Sequence, residues 1–262
     1  MSVFVIAEAG VNHNGRLSTA FRLCDAAKAA GADAVKFQHF NSQALWGDDR
    51  IAHLELRDAE VAVIAKHCAS IGIEFMATPF GVREVGVIAP LVKRIKVASG
   101  CLERWDLLAA VRATGLPVIM STGMSGEGRV DRALEALGHY KDGAAVTLLQ
   151  CTSAYPCPIE AVNLHAMSEL ELTFGAPVGF SDHTQGITVA IAAAALGATV
   201  IEKHLTLDRN AEGPDHKASI EPQEFRVMVS AIRTVEAALG DGVKRAQPAE
   251  EQVRRQWYGD QR

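Results

Sequence analysis

His183 and His204 each close a short β-like run, Gly-Phe-Ser-Asp-His at 179–183 and Ile-Glu-Lys-His at 201–204, about one helix plus one strand apart. A βαβ unit of that length returns both imidazoles to one rim of a parallel sheet. Two neutral imidazoles there can hold a divalent metal, with Asp182 and Glu202 close enough in sequence to orient them. Two histidines alone leave coordination positions open for water or a substrate oxygen, as a Lewis-acid catalyst requires. A lone histidine is more often a satisfied core or surface residue; a pair at adjacent strand ends favours the metal.

Lys36 and Lys96 sit within apolar sequence, Ala-Val-Lys-Phe-Gln and Arg-Ile-Lys-Val-Ala-Ser. An ammonium is a compact charge suited to phosphate or carboxylate in a barrel mouth. The bland alternative is a snorkelling lysine or an ion pair with Glu8 or Glu202; the two lysines together favour an anion site. Thr78, Ser99, Ser121 and Ser181, also at strand ends, can donate hydroxyls to the same anion. Glu8, in Ile-Ala-Glu-Ala-Gly, is placed to bind a hydroxyl or a metal-bound water, or to act as a general base; otherwise it pairs with a lysine. Asp215, in the loop Gly-Pro-Asp-His (213–216), reaches toward the mouth. Gly10-Val-Asn-His-Asn-Gly15 reads as a tight turn capping the helix from Leu17. Cys101 and Cys151 lie near strand ends with no activating histidine, which disfavours a cysteine nucleophile.

The elements that must position these groups alternate regularly. Strands are expected near 3–8, 33–38, 73–78, 94–99, 117–122, 145–151, 176–181 and 199–204. Helices are expected near 17–30, 58–71, 81–91, 104–114, 127–140, 160–173, 186–196 and 221–239. Gly31, Gly72, Gly115 and Gly197 stand where C-terminal caps belong. Near-continuous apolar strands suit a parallel sheet covered on both faces. Eight βα units point to a single-domain (β/α)8 TIM barrel over 1–240, and no G-x-G-x-x-G follows the first strand to support a doubly wound sheet. Residues 241–262 form a polar C-terminal tail, expected as an extended arm or short helix and an oligomer contact.

Composition narrows the function. A formal charge of −5 with no basic tract gives no electrostatic case for nucleic acid. Five cysteines without CxxC spacing, and a first strand with no positively charged leader before it, fit a reduced cytoplasm. The apolar run Ile187–Ile201 is too short and alanine-rich for a membrane span.

The motifs resemble those of the sialic acid synthase family, N-acetylneuraminate synthase and its pseudaminic and legionaminic relatives. The matching segments are Ile-Ala-Glu-Ala-Gly-Val-Asn-His-Asn-Gly (6–15), Gly-Ala-Asp-Ala-Val-Lys-Phe-Gln (31–38), Ala-Thr-Pro-Phe (77–80) and Lys-Val-Ala-Ser-Gly (96–100). They continue through Ser-Thr-Gly-Met (121–124), Cys-Thr-Ser-Ala-Tyr-Pro (151–156), Gly-Phe-Ser-Asp-His-Thr (179–184), Glu-Lys-His (202–204) and Gly-Pro-Asp-His-Lys (213–217). The resemblance implies condensation of phosphoenolpyruvate with an aldose to give a 2-keto-3-deoxy acid and phosphate. It implies a divalent metal on His183 and His204, typically Mn2+, with Mg2+ or Co2+ as alternatives, polarising the aldehyde. Lys36, Lys96, Thr78, Ser99, Ser121 and Ser181 would hold phosphoenolpyruvate, and Glu8 would meet the metal water or the intermediate's hydroxyl. Gln38, Tyr155 and Asp215 would contact the sugar, with Ser153 also in the substrate site. A homodimer is implied as well.

Three departures bear on the acceptor. The family's C-terminal antifreeze-like domain, which supplies an arginine to the sugar's N-acetyl group, has no counterpart before Arg262, so a separate lid in trans is an option. The loop Phe40–Leu56 is shorter than in the family. Cys101 stands where the family has a glutamate. The acceptor is therefore expected to be N-acetylmannosamine-like or a variant sugar. Two other readings are a metal-dependent barrel aldolase or epimerase, which needs neither paired lysines nor the hydroxyl set, and a non-catalytic or partner-dependent paralogue.

Overall fold

A computed structural model describes residues 2–259. Its elements are β1 (Phe4–Gly10), α1 (Leu17–Ala29), β2 (Ala34–His39), α2 (Ser42–Trp46), α3 (Asp58–Ile71), β3 (Glu74–Pro79), α4 (Val82–Ile88) and β4 (Ile95–Val97). There follow α5 (Trp105–Ala113), β5 (Val118–Ser121), α6 (Glu127–Leu137), α7 (His139–Asp142), β6 (Val146–Gln150) and α8 (Ala166–Phe174). The chain continues with β7 (Val178–Asp182), α9 (Thr188–Ala195), β8 (Val200–His204), α10 (Pro222–Leu239) and α11 (Glu251–Tyr258).

The strands run parallel in the order β3-β2-β1-β8-β7-β6-β5-β4, a (β/α)8 barrel as expected. Ladders join every neighbouring pair in that order, while no ladder among the described residues joins β3 to β4. Two apolar layers result from strand alternation. Ile6, Ala34, Met76, Ile119, Leu149 and Val200 fill the barrel interior with Phe4 against them. A larger core lies between strands and helices. Gly179 is required in the inner layer: a Cβ there would meet the Val200 carbonyl oxygen and the Leu149 side chain.

Helix α1 shows why the outer ring forms. Ala20, Leu23, Cys24 and Ala27 make one buried stripe at helical spacing. Cys24 meets Cys68 of α3 at 3.5 Å, both as free thiols. The α3 helix ends at Gly72, whose φ of 71° suits a residue without a Cβ.

Several boundaries differ from expectation. The helix expected over 81–91 stops at Ile88, just before Pro90, which has no N–H to continue it. The helix expected over 127–140 breaks at Gly138, leaving α7 as a separate turn. The helix expected over 160–173 starts only at Ala166, because Ile159–Ala161 forms a 3₁₀ turn and Asn163 has φ 51°. Phe40–Leu56, expected as a plain loop, contains α2, capped by the Asn41 side chain accepting from Ala44 N at 2.9 Å. The tail does form the short helix α11, whose residues are all exposed; its last residues, 260–262, lie outside the described residues. No helix among the described residues is long and apolar enough to cross a membrane.

Candidate active site

Period-two alternation lifts one polar residue of every strand but β6 above the apolar interior layer. Ile6 is followed by Glu8, Ala34 by Lys36, Met76 by Thr78, Ile119 by Ser121, and Val200 by Glu202. Lys96 on β4 and Ser181 on β7 complete the ring. One turn higher stand Gln38, His183 and His204. These groups line a cavity of about 440 Å³ at the C-terminal mouth of the barrel, together with Ser99, Ser153, Tyr155 and Asp215. Every site residue named from the sequence therefore meets in one place. Thr122, Gln150 and Thr152, also polar strand ends, do not join them: each is bonded to a backbone carbonyl, of Leu149, Val162 and Ala161 respectively.

At the floor is an almost fully buried ion lattice. Lys36 Nζ is 2.7 Å from Glu8 Oε2 and 3.5 Å from Glu202 Oε2, and donates to Thr78 Oγ1 at 2.9 Å. Lys96 Nζ is 3.8 Å from Glu202 Oε1 and donates to Ser121 Oγ at 2.6 Å. Ser181 Oγ donates to Glu202 Oε1 at 2.8 Å. Burial works against the Glu202 charge, but Lys36, Lys96 and the Ser181 hydroxyl outweigh it and hold the carboxyl down at about 2. For Glu8 burial wins over Lys36, and nearby Glu202 adds to it, so the carboxyl titrates above its usual range. Burial also lowers Lys96, helped by the positive charge of Lys36. Lys36 is raised, because Glu202 and Glu8 overcome its burial. Of the two lysine roles weighed from the sequence, the geometry shows the ion pairs with Glu8 and Glu202, set among hydroxyls that face an open mouth.

The imidazoles stand beside the lattice with ring centroids 5.6 Å apart. His183 Nδ1 lies 2.8 Å from the Thr152 carbonyl oxygen, so Nδ1 carries the hydrogen and Nε2 keeps its lone pair toward the mouth. Burial, with the neighbouring His204, lowers His183 to about 4 and keeps it neutral. His204 Nδ1 is buried without a hydrogen bond, 3.7 Å from Asp215 Oδ2. The Tyr155 ring packs against His183 at 4.2 Å. A neutral imidazole with a fixed tautomer and a second with an orphaned nitrogen are donors that fit a divalent cation. No group of three or more His, Cys, Asp or Glu among the described residues is arranged to hold a metal.

Asp182 does not orient His183. It points to the opposite face of β7, where Oδ2 pairs with Lys203 Nζ at 2.8 Å and both side chains are fully buried. Lys203 also donates to the Thr184 carbonyl oxygen at 2.5 Å, and Thr184 donates to Asp182 Oδ1. This strut ties the ends of β7 and β8, the two strands that carry the histidines. Its signal in the sequence was the pairing of two charged residues, each flanked by residues of the other face.

The turn 10–15 does more than cap α1. Asn12 Nδ2 donates to the Leu205 carbonyl oxygen and to Ser219 Oγ, both at 2.9 Å. Ser219 Oγ in turn donates to the Asp215 carbonyl oxygen at 2.6 Å. Asn14 reaches the Glu212 carbonyl oxygen at 2.9 Å and lies 3.3 Å from His216 Nε2. The first βα loop thus clasps the loop that presents Asp215. The mouth also gains Phe80 and Met124, each the last residue of a quoted motif, and Leu45 and Trp46 from α2 and Arg104, which lie in none of them. Cys101 is buried there, with burial pushing its thiol up, so it brings no charge where the expected glutamate would.

A family model described as the NeuB family matches residues 23–244. An uncharacterised protein of Methanocaldococcus jannaschii is 43% identical over 257 residues, covering 95% of this chain and 76% of that protein. An N,N'-diacetyllegionaminic acid synthase of Campylobacter jejuni is 40% identical over 270 residues, covering 94% and 80%. The crystal structure of an N-acetylneuraminic acid (sialic acid) synthetase from Leptospira borgpetersenii, in complex with citrate, superposes with a TM-score of 0.91 at 33% identity, covering 100% of this chain and 94% of that one.

Proposed function

The chain belongs to the NeuB family, and from that premise we propose that its mouth joins phosphoenolpyruvate to an aldose with the help of a divalent metal on His183 and His204. It is an enzyme of the phosphoenolpyruvate-dependent sugar-acid synthase type. The observation that carries the reading is the juxtaposition, in one cavity, of a buried lysine–glutamate lattice ringed by hydroxyls with the neutral His183 imidazole and a second imidazole, His204, whose Nδ1 has no hydrogen bond.

When bound there, a divalent cation such as Mn2+, or alternatively Mg2+ or Co2+, makes the aldehyde carbon more electrophilic. The protein does the rest by position and charge. Lys36 and Lys96, with Thr78, Ser99, Ser121 and Ser181, hold the phosphate and carboxylate and keep the enol carbon facing the acceptor. Gln38, Ser153, Tyr155 and Asp215 line the remainder of the mouth and take the sugar hydroxyls. The new bond joins the enol carbon to the aldehyde carbon as the aldehyde C=O opens to a hydroxyl. Water adds at C2, and the C2–O bond to phosphate breaks as C2 becomes the keto carbon, its hydroxyl proton leaving on the phosphate. The proton the water gives up balances the one the aldehyde oxygen gains. Glu8, whose carboxyl burial has raised, accepts the proton of that water.

The acceptor is an N-acetylmannosamine-like aldose or a variant sugar, and a homodimer or a lid supplied in trans would complete its enclosure. The test is phosphate release from phosphoenolpyruvate with manganese against aldoses with and without N-acetyl groups. Release that needs one aldose and vanishes in His183→Ala is expected. Absence of both phosphate release and phosphoenolpyruvate binding would overturn the reading.

A further inference from the structure

Charge balance in the mouth points to a residue that none of the motifs contains. Its lining carries three carboxylates, Glu8, Glu202 and Asp215, and three cations, Lys36, Lys96 and Arg104. The two lysines are already matched to Glu8 and Glu202 within the buried lattice. A phosphate monoester brings about −1.5 to −2 at neutral pH, and the carboxylate of phosphoenolpyruvate adds to it. The lattice alone has no surplus positive charge to meet that load.

Arg104 is held differently. Among the described residues its only ion pair is with exposed Asp106, Nε to Oδ1 at 3.4 Å. Neither Nη group has a hydrogen-bond or ion-pair partner among the described residues. The backbone, by contrast, is fixed: Arg104 N donates to the Cys101 carbonyl oxygen at 3.0 Å, and Arg104 is the N-cap residue of α5. The residue follows β4, in the same segment that provides Lys96 and Ser99, across the barrel from the β8 end that carries His204. A guanidinium offers two parallel N–H donors to a phosphate, a geometry a lysine cannot match.

We propose that Arg104 binds the phosphate of phosphoenolpyruvate with its free Nη edge. The assignment rests on the reading that this mouth takes phosphoenolpyruvate. It separates the phosphate end, beside β4 and β5, from the acceptor end beside the imidazoles.

The experiment compares wild type, Arg104→Gln and Arg104→Lys in two measurements: KM for each substrate, and calorimetric binding of inorganic phosphate. In Arg104→Gln, KM for phosphoenolpyruvate and the phosphate Kd rise by about tenfold to a hundredfold, the worth of a charge-assisted hydrogen bond. KM for the aldose stays within twofold, and Arg104→Lys recovers part of the loss. Unchanged phosphoenolpyruvate KM and phosphate affinity would overturn the proposal, and so would a rise confined to the aldose KM, which would put the guanidinium on the acceptor. Wild type that releases no phosphate from phosphoenolpyruvate would defeat the functional reading instead. The inorganic phosphate comparison then still decides whether Arg104 holds a phosphate.

Discussion

Glu8 and Glu202 lie in one buried lattice yet shift in opposite directions, and the difference assigns their roles. Glu202 faces both lysines and a hydroxyl and remains a fixed anion; Glu8, raised by burial, is the group suited to move a proton. Glu8→Gln should lower phosphate release by about 10²- to 10⁴-fold, the usual worth of a positioned acid–base group, while calorimetry still detects phosphoenolpyruvate. His13 governs stability instead. It is fully buried at the base of the β1–α1 loop, and burial lowers its imidazole to about 4. The unfolded chain takes up that proton near 6.5 and the folded chain only near 4, so stability falls as pH drops through this window, by up to about 3 kcal/mol. Denaturant melts between pH 7 and 4.5 should show a shallower loss in His13→Gln, with His39, His183 and His216, which burial also lowers, contributing to the slope that remains. Period-two alternation made the inward set 181, 183, 202 and 204 legible. Arg104 and Trp46 were not, because nothing local distinguishes a rim side chain that turns inward from one that turns to solvent.

The Lys203–Asp182 strut is a feature of paired strands, and its behaviour follows from isolation. Lys203→Met leaves a carboxylate buried without its cation and should cost about 3–5 kcal/mol in chemical denaturation. Asp182→Asn combined with Lys203→Met should regain most of that, since neither charge is then stranded. Sequence proximity placed Asp182 with His183; consecutive strand residues face opposite sides, and that geometry gives it to Lys203. The 10–15 turn was underestimated for a related reason. Its hydrogen bonds run to Leu205, Glu212 and Ser219, so its role is written in contacts from the far end of the chain. Short helices such as α2 fall below the length at which periodicity speaks.

For the molecule as a whole, the eight-unit repeat was readable because each strand is buried on both faces and each helix ends in a recognisable stop. The tail is a separate matter. Residues 241–259 are exposed throughout, and the hydrogen bonds of Val243 N, Arg245 and Gln247 N stay within the segment. A chain ending at Gly240 should therefore melt within about 2 °C of the full chain, a shift below what 1 kcal/mol produces in a domain this size. The ring itself is laced by ladders everywhere except between β3 and β4. Thr78 stands on one lip of that seam and Lys96 on the other, both in the cradle assigned to phosphoenolpyruvate. A substrate gripping both acts as the missing rung of the sheet. The seam is where the barrel should breathe, its amides trading hydrogen for deuterium ahead of those in β1 and β8, and binding should slow that exchange most at this gap.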